Sequence, residues 1–192
     1  MTSVVLIPWA DTDWSRDGRL TARTPVSINA EGRRRALHWA NELASRELAA
    51  VYGSHEKPAH QTAAVLADRA EVRLRQVREL KEVDVGLWEG LTEPQIRDRF
   101  PRAFRQWADH PDSVRPPDGE SLADASARIR KAIARISEKH RNRTVGVVLG
   151  PLALALARCA LENRDLGELR YLTTPEPVWY EVETARRTPD RS

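Results

Sequence analysis

Short apolar runs alternate along this chain with longer segments of helical periodicity, and that alternation constrains the fold more than any other feature. Val4–Ile7, Leu48–Tyr52 and Val145–Leu149 read as buried strands, and Val72–Leu74 as a short alternating one. Asn29 is placed to cap a helix running to about Glu47, with Ala36, Ala40 and Leu43 along one face. Pro58 opens a helix to Ala67, in the first turn that proline tolerates. Thr92 begins a short helix that ends before Pro101, and another covers Ala103–Ala108. Ser121-x-x-Asp124 resembles a capping box, and from it Leu122, Ala125, Ile129, Ile133 and Ile136 mark one helical stripe. Gly150-Pro151 turns the third apolar run into a helix over Leu152–Leu161. Leu169–Thr173 and Val178–Val182 read as a closing hairpin. The alternation predicts an α/β layered domain with helices on both faces of a central sheet. Residues 1–183 read as a single domain and 184–192 as a flexible, arginine-rich basic tail.

Composition narrows the partners. A chain of 192 residues suits one full core. The formal net charge is only +3, and Arg33-Arg34-Arg35 is the one basic run of three, so no nucleic-acid partner is expected. That run reads as the exposed side of the first helix. Cys159 stands alone, which rules out an intramolecular disulfide and suits a buried thiol. The histidines are scattered and no Cys-x-x-Cys occurs, so neither a metal nor another cofactor is expected. The apolar run at Leu152–Leu161 is too short to span a bilayer, and no signal-peptide pattern opens the chain. The expectation is a cytoplasmic protein with no membrane contact.

Six segments carry a more specific signal. The first is Leu6-Ile7-Pro8-Trp9-Ala10-Asp11-Thr12-Asp13-Trp14-Ser15. Ile28-Asn29-Ala30-Glu31-Gly32-Arg33 follows, then Val51-Tyr52-Gly53-Ser54 with Pro58-Ala59-His60-Gln61-Thr62-Ala63. Further on stand Leu80-Lys81-Glu82-Val83-Asp84-Val85-Gly86-Leu87-Trp88-Glu89-Gly90-Leu91-Thr92, Pro116-Pro117-Asp118-Gly119-Glu120-Ser121, and Val145-Gly146-Val147-Val148-Leu149-Gly150. In this order and spacing they resemble the histidine phosphatase (phosphoglycerate mutase-like) superfamily. The resemblance implies a three-layer α/β/α sandwich. Its central sheet would be mostly parallel with one antiparallel strand, and its site would lie at the C-terminal ends of the strands.

The resemblance also implies a site made of two arginines, two histidines, an asparagine and a carboxylic acid. This chain has Pro8 at the first arginine, Trp9 at the nucleophilic histidine and Ser15 at the asparagine. Pro58 stands at the second arginine and Gly150 at the second histidine. Only Glu82, at the acid, keeps the family chemistry. An indole nitrogen is a donor only and cannot accept a phosphoryl group. Proline has neither the guanidinium fork nor a backbone N–H. Arg16, Arg19 and Arg23, with Lys57, lie near the relevant loops and read either as a remodelled anion site or as solvated loop charges. His55 and His60 do not fall at a strand end, and His60 faces either the pocket mouth or solvent. Trp9 either fills the vacated pocket, with its N–H on Glu82, or forms an apolar platform for another ligand. Trp14 and Trp88 stand where the family also has tryptophan and read as scaffold.

These substitutions lead to three functional expectations. The first is a catalytically inactive phosphatase-like protein, not an enzyme, that binds or regulates an unknown protein partner or pairs with itself. The second is a weakly active phosphomonoester phosphatase or mutase-like enzyme working through substitute residues. The third is a small-molecule sensor using the remodelled cleft.

Overall fold

The computed structural model describes residues 1–111, 114–166 and 178–184. Five strands form one sheet among these residues: β1 (Thr2–Pro8), β2 (Leu48–Gly53), β3 (Leu74–Gln76), β4 (Thr144–Leu149) and β5 (Tyr180–Thr184), in the order β3-β2-β4-β1-β5. All neighbours pair parallel except β5, which runs antiparallel to β1 along one edge. The fold is α/β with a mostly parallel sheet, as expected.

Alternation along β1 divides the core. Val4 and Leu6 face a cluster built with α6 (Leu122–Lys139) and α7 (Pro151–Glu162). Val5, Ile7 and Trp9 face the opposite cluster, built with α2 (Ala30–Glu42) and α3 (Lys57–Arg69). Two buried faces explain why β1 reads as an unbroken apolar run. Helix α7 is buried over Leu152–Ala157 and so is apolar all round. The expected caps form: the Asn29 side chain accepts from Gly32 N–H and the Ser121 hydroxyl from Asp124 N–H.

Some boundaries move. The first long helix closes at Glu42 and passes into a 3-10 turn over Leu43–Arg46, which Glu47 ends in the left-handed region at φ 47°. The third strand lies at Leu74–Gln76, beyond its predicted start, because Val72 N–H is taken by Ala67 O at the end of α3. The loop after β1 contains a single turn, α1 (Asp13–Arg16), capped by Thr12. Between β3 and α6 lie α4 (Glu93–Arg99) and α5 (Pro101–Asp109). Of the expected hairpin, the second half is β5, which pairs with β1, while Leu169–Thr173 falls outside the described residues. Thr184, taken as the first residue of the tail, is the last of β5, and 185–192 also fall outside. Among the described residues no helix is long and apolar enough to cross a membrane.

Candidate active site

The C-terminal ends of β1 and β4 lie side by side, joined by Trp9 N–H donating to Leu149 O at 2.8 Å. The loop after β1 is pinned to α3 by the motif that the sequence singled out. Ala10 N–H donates to the Thr62 hydroxyl at 2.9 Å, that hydroxyl donates to Pro58 O at 2.8 Å, and Gln61 Oε1 accepts from Ile28 N–H at 2.9 Å. Beside these strand ends is a cleft of about 50 Å³, lined by Trp9, Arg19, Leu20, Thr21, Glu82, Val85, Pro151 and Leu152. That is room for a few waters at most.

Glu82 is the chemical centre of the cleft. It is 3% exposed, and its carboxylate takes three backbone N–H groups: Val83 at 2.6 Å and Ala153 at 2.8 Å on Oε1, Leu152 at 3.0 Å on Oε2. Two of these belong to the first turn of α7, whose N-cap residue, Gly150, has no side chain to cap it. Glu82 therefore caps that helix from another segment. Burial pushes its carboxyl up from 4.5 to about 7; the three amides oppose that rise and the nearby charge of Glu56 adds to it. At neutral pH the group is thus divided between acid and carboxylate.

Trp9, Gly150 and Glu82 meet at one point. A Cβ at Gly150 would fall inside the Glu82 carboxylate and within 2.8 Å of Trp9 Cη2, so glycine is what lets the three pack. Trp9 is buried, 5% exposed, and fills the floor of the site. The expected bond from its indole N–H to Glu82 is not the one formed, because backbone amides hold the carboxylate instead.

The remaining predicted residues separate. Pro8 is buried in β1 opposite Leu149, and Pro58 is buried in the first turn of α3. Ser15 is exposed and closes the capping box with Thr12, away from the cleft. Arg16 is exposed and pairs with Asp13 at 3.2 Å and Asp17 at 3.5 Å. Arg23 is exposed and pairs with Asp84 at 3.5 Å and Glu89 at 3.7 Å. Only Arg19 reaches the cleft, steadied by Nη1 donating to Gly90 O at 2.7 Å. The roof carrying it is held by Glu89, which accepts from Ala22, Arg23 and Thr24 N–H. His60 is exposed and bonded to Gln76 at 3.0 Å. Trp88 is 2% exposed and meets Trp107 edge-on, and Trp14 covers Gly90, both as scaffold.

Two residues of this neighbourhood escape sequence reasoning. Glu56 Oε1 accepts the backbone N–H of Glu82 at 3.1 Å. Arg128, on α6, donates to the carbonyls of Glu79, Lys81 and Glu82 at 2.9, 2.7 and 3.0 Å, and grips Glu120 with the rest of its fork. The polar residue of the Gly-Glu-Ser turn was a signal for the second; nothing local marked the first. Among the described residues no group of three or more His, Cys, Asp or Glu side chains gathers as a metal site would require.

A mostly parallel α/β sheet with a cleft and a buried acid at its strand ends is the frame of the phosphoglycerate mutase-like folds. The pattern of the Histidine phosphatase superfamily, branch 1, matches residues 4–190, and the chain belongs to that family. Phosphoserine phosphatase 1 of Hydrogenobacter thermophilus is 27% identical over 168 residues, 88% of this chain and 80% of the relative. Glucosyl-3-phosphoglycerate phosphatase of Mycobacterium tuberculosis is 29% identical over 69% of this chain and 59% of its own length. The solved structure of Bacillus stearothermophilus YhfR superposes with a TM-score of 0.82 at 28% identity, over 88% of this chain and 84% of that one. These relatives correct the expectation that the chain is not an enzyme, since those with a named activity are phosphatases.

Proposed function

We propose that this chain is a slow phosphomonoester phosphatase that works without a phosphohistidine intermediate, through substitute residues around Glu82, within a single domain over 1–183. The observation that carries the reading is the buried Glu82 carboxyl, with a pKa near 7 and a guanidinium in the same cleft. The phosphatase names of the relatives support it.

Residue 9 is tryptophan, so no histidine takes the phosphoryl group from the β1 end, and water attacks phosphorus directly. The cleft is too small to engulf a phosphoryl group, which therefore sits at the mouth beneath Arg19. A P–O bond to water forms as the ester P–O bond breaks. The leaving oxygen takes the proton of Glu82, and the attacking water returns one to it. Oε2 accepts one amide against two at Oε1, which leaves it the capacity to carry that proton. The acid form is required, so the rate falls as pH rises through about 7.

Hydrolysis of a generic phosphomonoester by the purified chain, with Glu82→Gln alongside, tests the reading. The expected result is turnover in the wild type and a loss of roughly 10²–10⁴-fold in the variant. No turnover in the wild type, or equal turnover in both, would sink it.

A further inference from the structure

Glu56 is the N-cap residue of α3, yet its side chain caps nothing in that helix. It turns instead to the Glu82 segment, where Oε1 accepts Glu82 N–H at 3.1 Å. Its second oxygen, Oε2, is buried and has no hydrogen-bond partner. A buried carboxylate oxygen without a donor is costly and calls for an explanation. The other groups facing Glu82 come from every side. Arg19 enters from the roof, Arg128 of α6 binds its carbonyl, α7 contributes two amides, and the end of β1 offers only the uncharged indole of Trp9. Among the described residues, Glu56 is the one acidic side chain bonded directly to the Glu82 backbone.

We infer that Glu56 is a positioning residue for Glu82, a second carboxylate of the site that fixes the Glu82 backbone and governs how its side chain holds a proton. This rests on the reading of Glu82 as the acid of the cleft. The two effects of Glu56 are separable. Glutamine keeps an Oε1 acceptor for the Glu82 N–H and removes the negative charge, whereas alanine removes both. A like charge nearby favours the protonated form, and the charge of Glu56 raises Glu82 in this way.

The test is the pH titration of the Glu82 carboxyl carbon by NMR in the full, glutamate-labelled chain, its signal assigned by its loss in Glu82→Gln. The wild-type midpoint is expected near 7. In Glu56→Gln, which removes the charge and keeps the acceptor, it should fall by at least about 0.3 pH unit, a twofold loss of proton affinity; Glu56→Ala should lower it as well while also freeing the Glu82 N–H, and either variant that folds suffices. A midpoint near 7 that neither variant moves would overturn the inference alone and leave Glu82 as the acid. A wild-type midpoint in the ordinary glutamate range would remove both the acid of the proposed function and the role given to Glu56. A merely structural Glu56 would change stability without moving the midpoint.

Discussion

Two carboxylates stand on opposite sides of the same short segment, and their environments drive them apart. Glu82, at the floor of the cleft, accepts three backbone amides and has no cation bonded to its side chain. Glu120, behind the segment, accepts Asp84 N–H at 2.9 Å and is gripped by the Arg128 fork. Burial pushes both carboxyls up. At Glu120 the Arg128 hydrogen bonds, the Asp84 amide and the Arg128 charge outweigh burial and hold the group below the ordinary glutamate value. At Glu82 burial wins. Two differences act in the same direction: Glu82 is fully buried and held by amides alone, whereas Glu120 is only half-buried and bonds a guanidinium. One segment thus carries a structural anion on one side and a proton-holding acid on the other.

The most disruptive way to break this contrast is Arg128→Ala. It leaves the half-buried Glu120 without its cation and frees three carbonyls of residues 79–82, so a loss of roughly 3–5 kcal/mol in chemical denaturation is expected. A loss below about 1 kcal/mol would mean that the clamp is idle. Next is the pH dependence of stability. The folded pKa of Glu82 lies above its unfolded value, so its contribution is fully present below about 4.5 and is lost as pH rises through about 7. The loss amounts to roughly 3 kcal/mol in the wild type and should be absent from Glu82→Gln, so the wild-type-minus-variant difference should change by about that amount across the window. A pH-independent difference would contradict the buried-acid assignment.

Gly150→Ala sharpens the same point sterically. Its Cβ must displace the Glu82 carboxylate or the Trp9 ring, and a loss of about 1–3 kcal/mol is expected, with a lower Glu82 titration midpoint if the carboxylate is pushed toward water. The smallest effect concerns His140, whose ring nitrogen meets the Tyr52 hydroxyl at 2.8 Å. Burial, together with the charges of Lys139, Arg143 and Arg75, lowers its pKa. Its contribution is therefore present above about 6.5 and is lost as pH falls below that value, and His140→Gln should remove this acid-side slope from thermal melts. An unchanged slope would mean that the ring titrates as in the unfolded chain.

The sheet and helices were legible because their signals are local. Apolar runs marked β1, β2 and β4, and Asn29, Pro58 and Ser121 marked helix starts that hold in the structure. The third strand slipped because Val72 alternates like a strand residue while its N–H is taken by the end of α3, a competition between neighbouring elements that periodicity does not record. Within the site, the family resemblance implied that Glu82, Trp9 and Gly150 are neighbours, and the structure packs them at one point. It could not choose among Arg16, Arg19 and Arg23, which lie within eight residues and differ only in the direction each leaves the loop.

By itself, then, the sequence determined the order of elements, the faces they bury and the identity of the carboxyl at the strand ends. The tertiary structure alone decided what that carboxyl is. Its amide donors on α7 lie 70 and 71 residues away, its acidic neighbour Glu56 comes from the start of α3, and the backbone around it is fastened by an arginine 46 residues further on. Proton affinity depends on desolvation and on charges brought together through space, and neither is a property of a residue or of its neighbours along the chain.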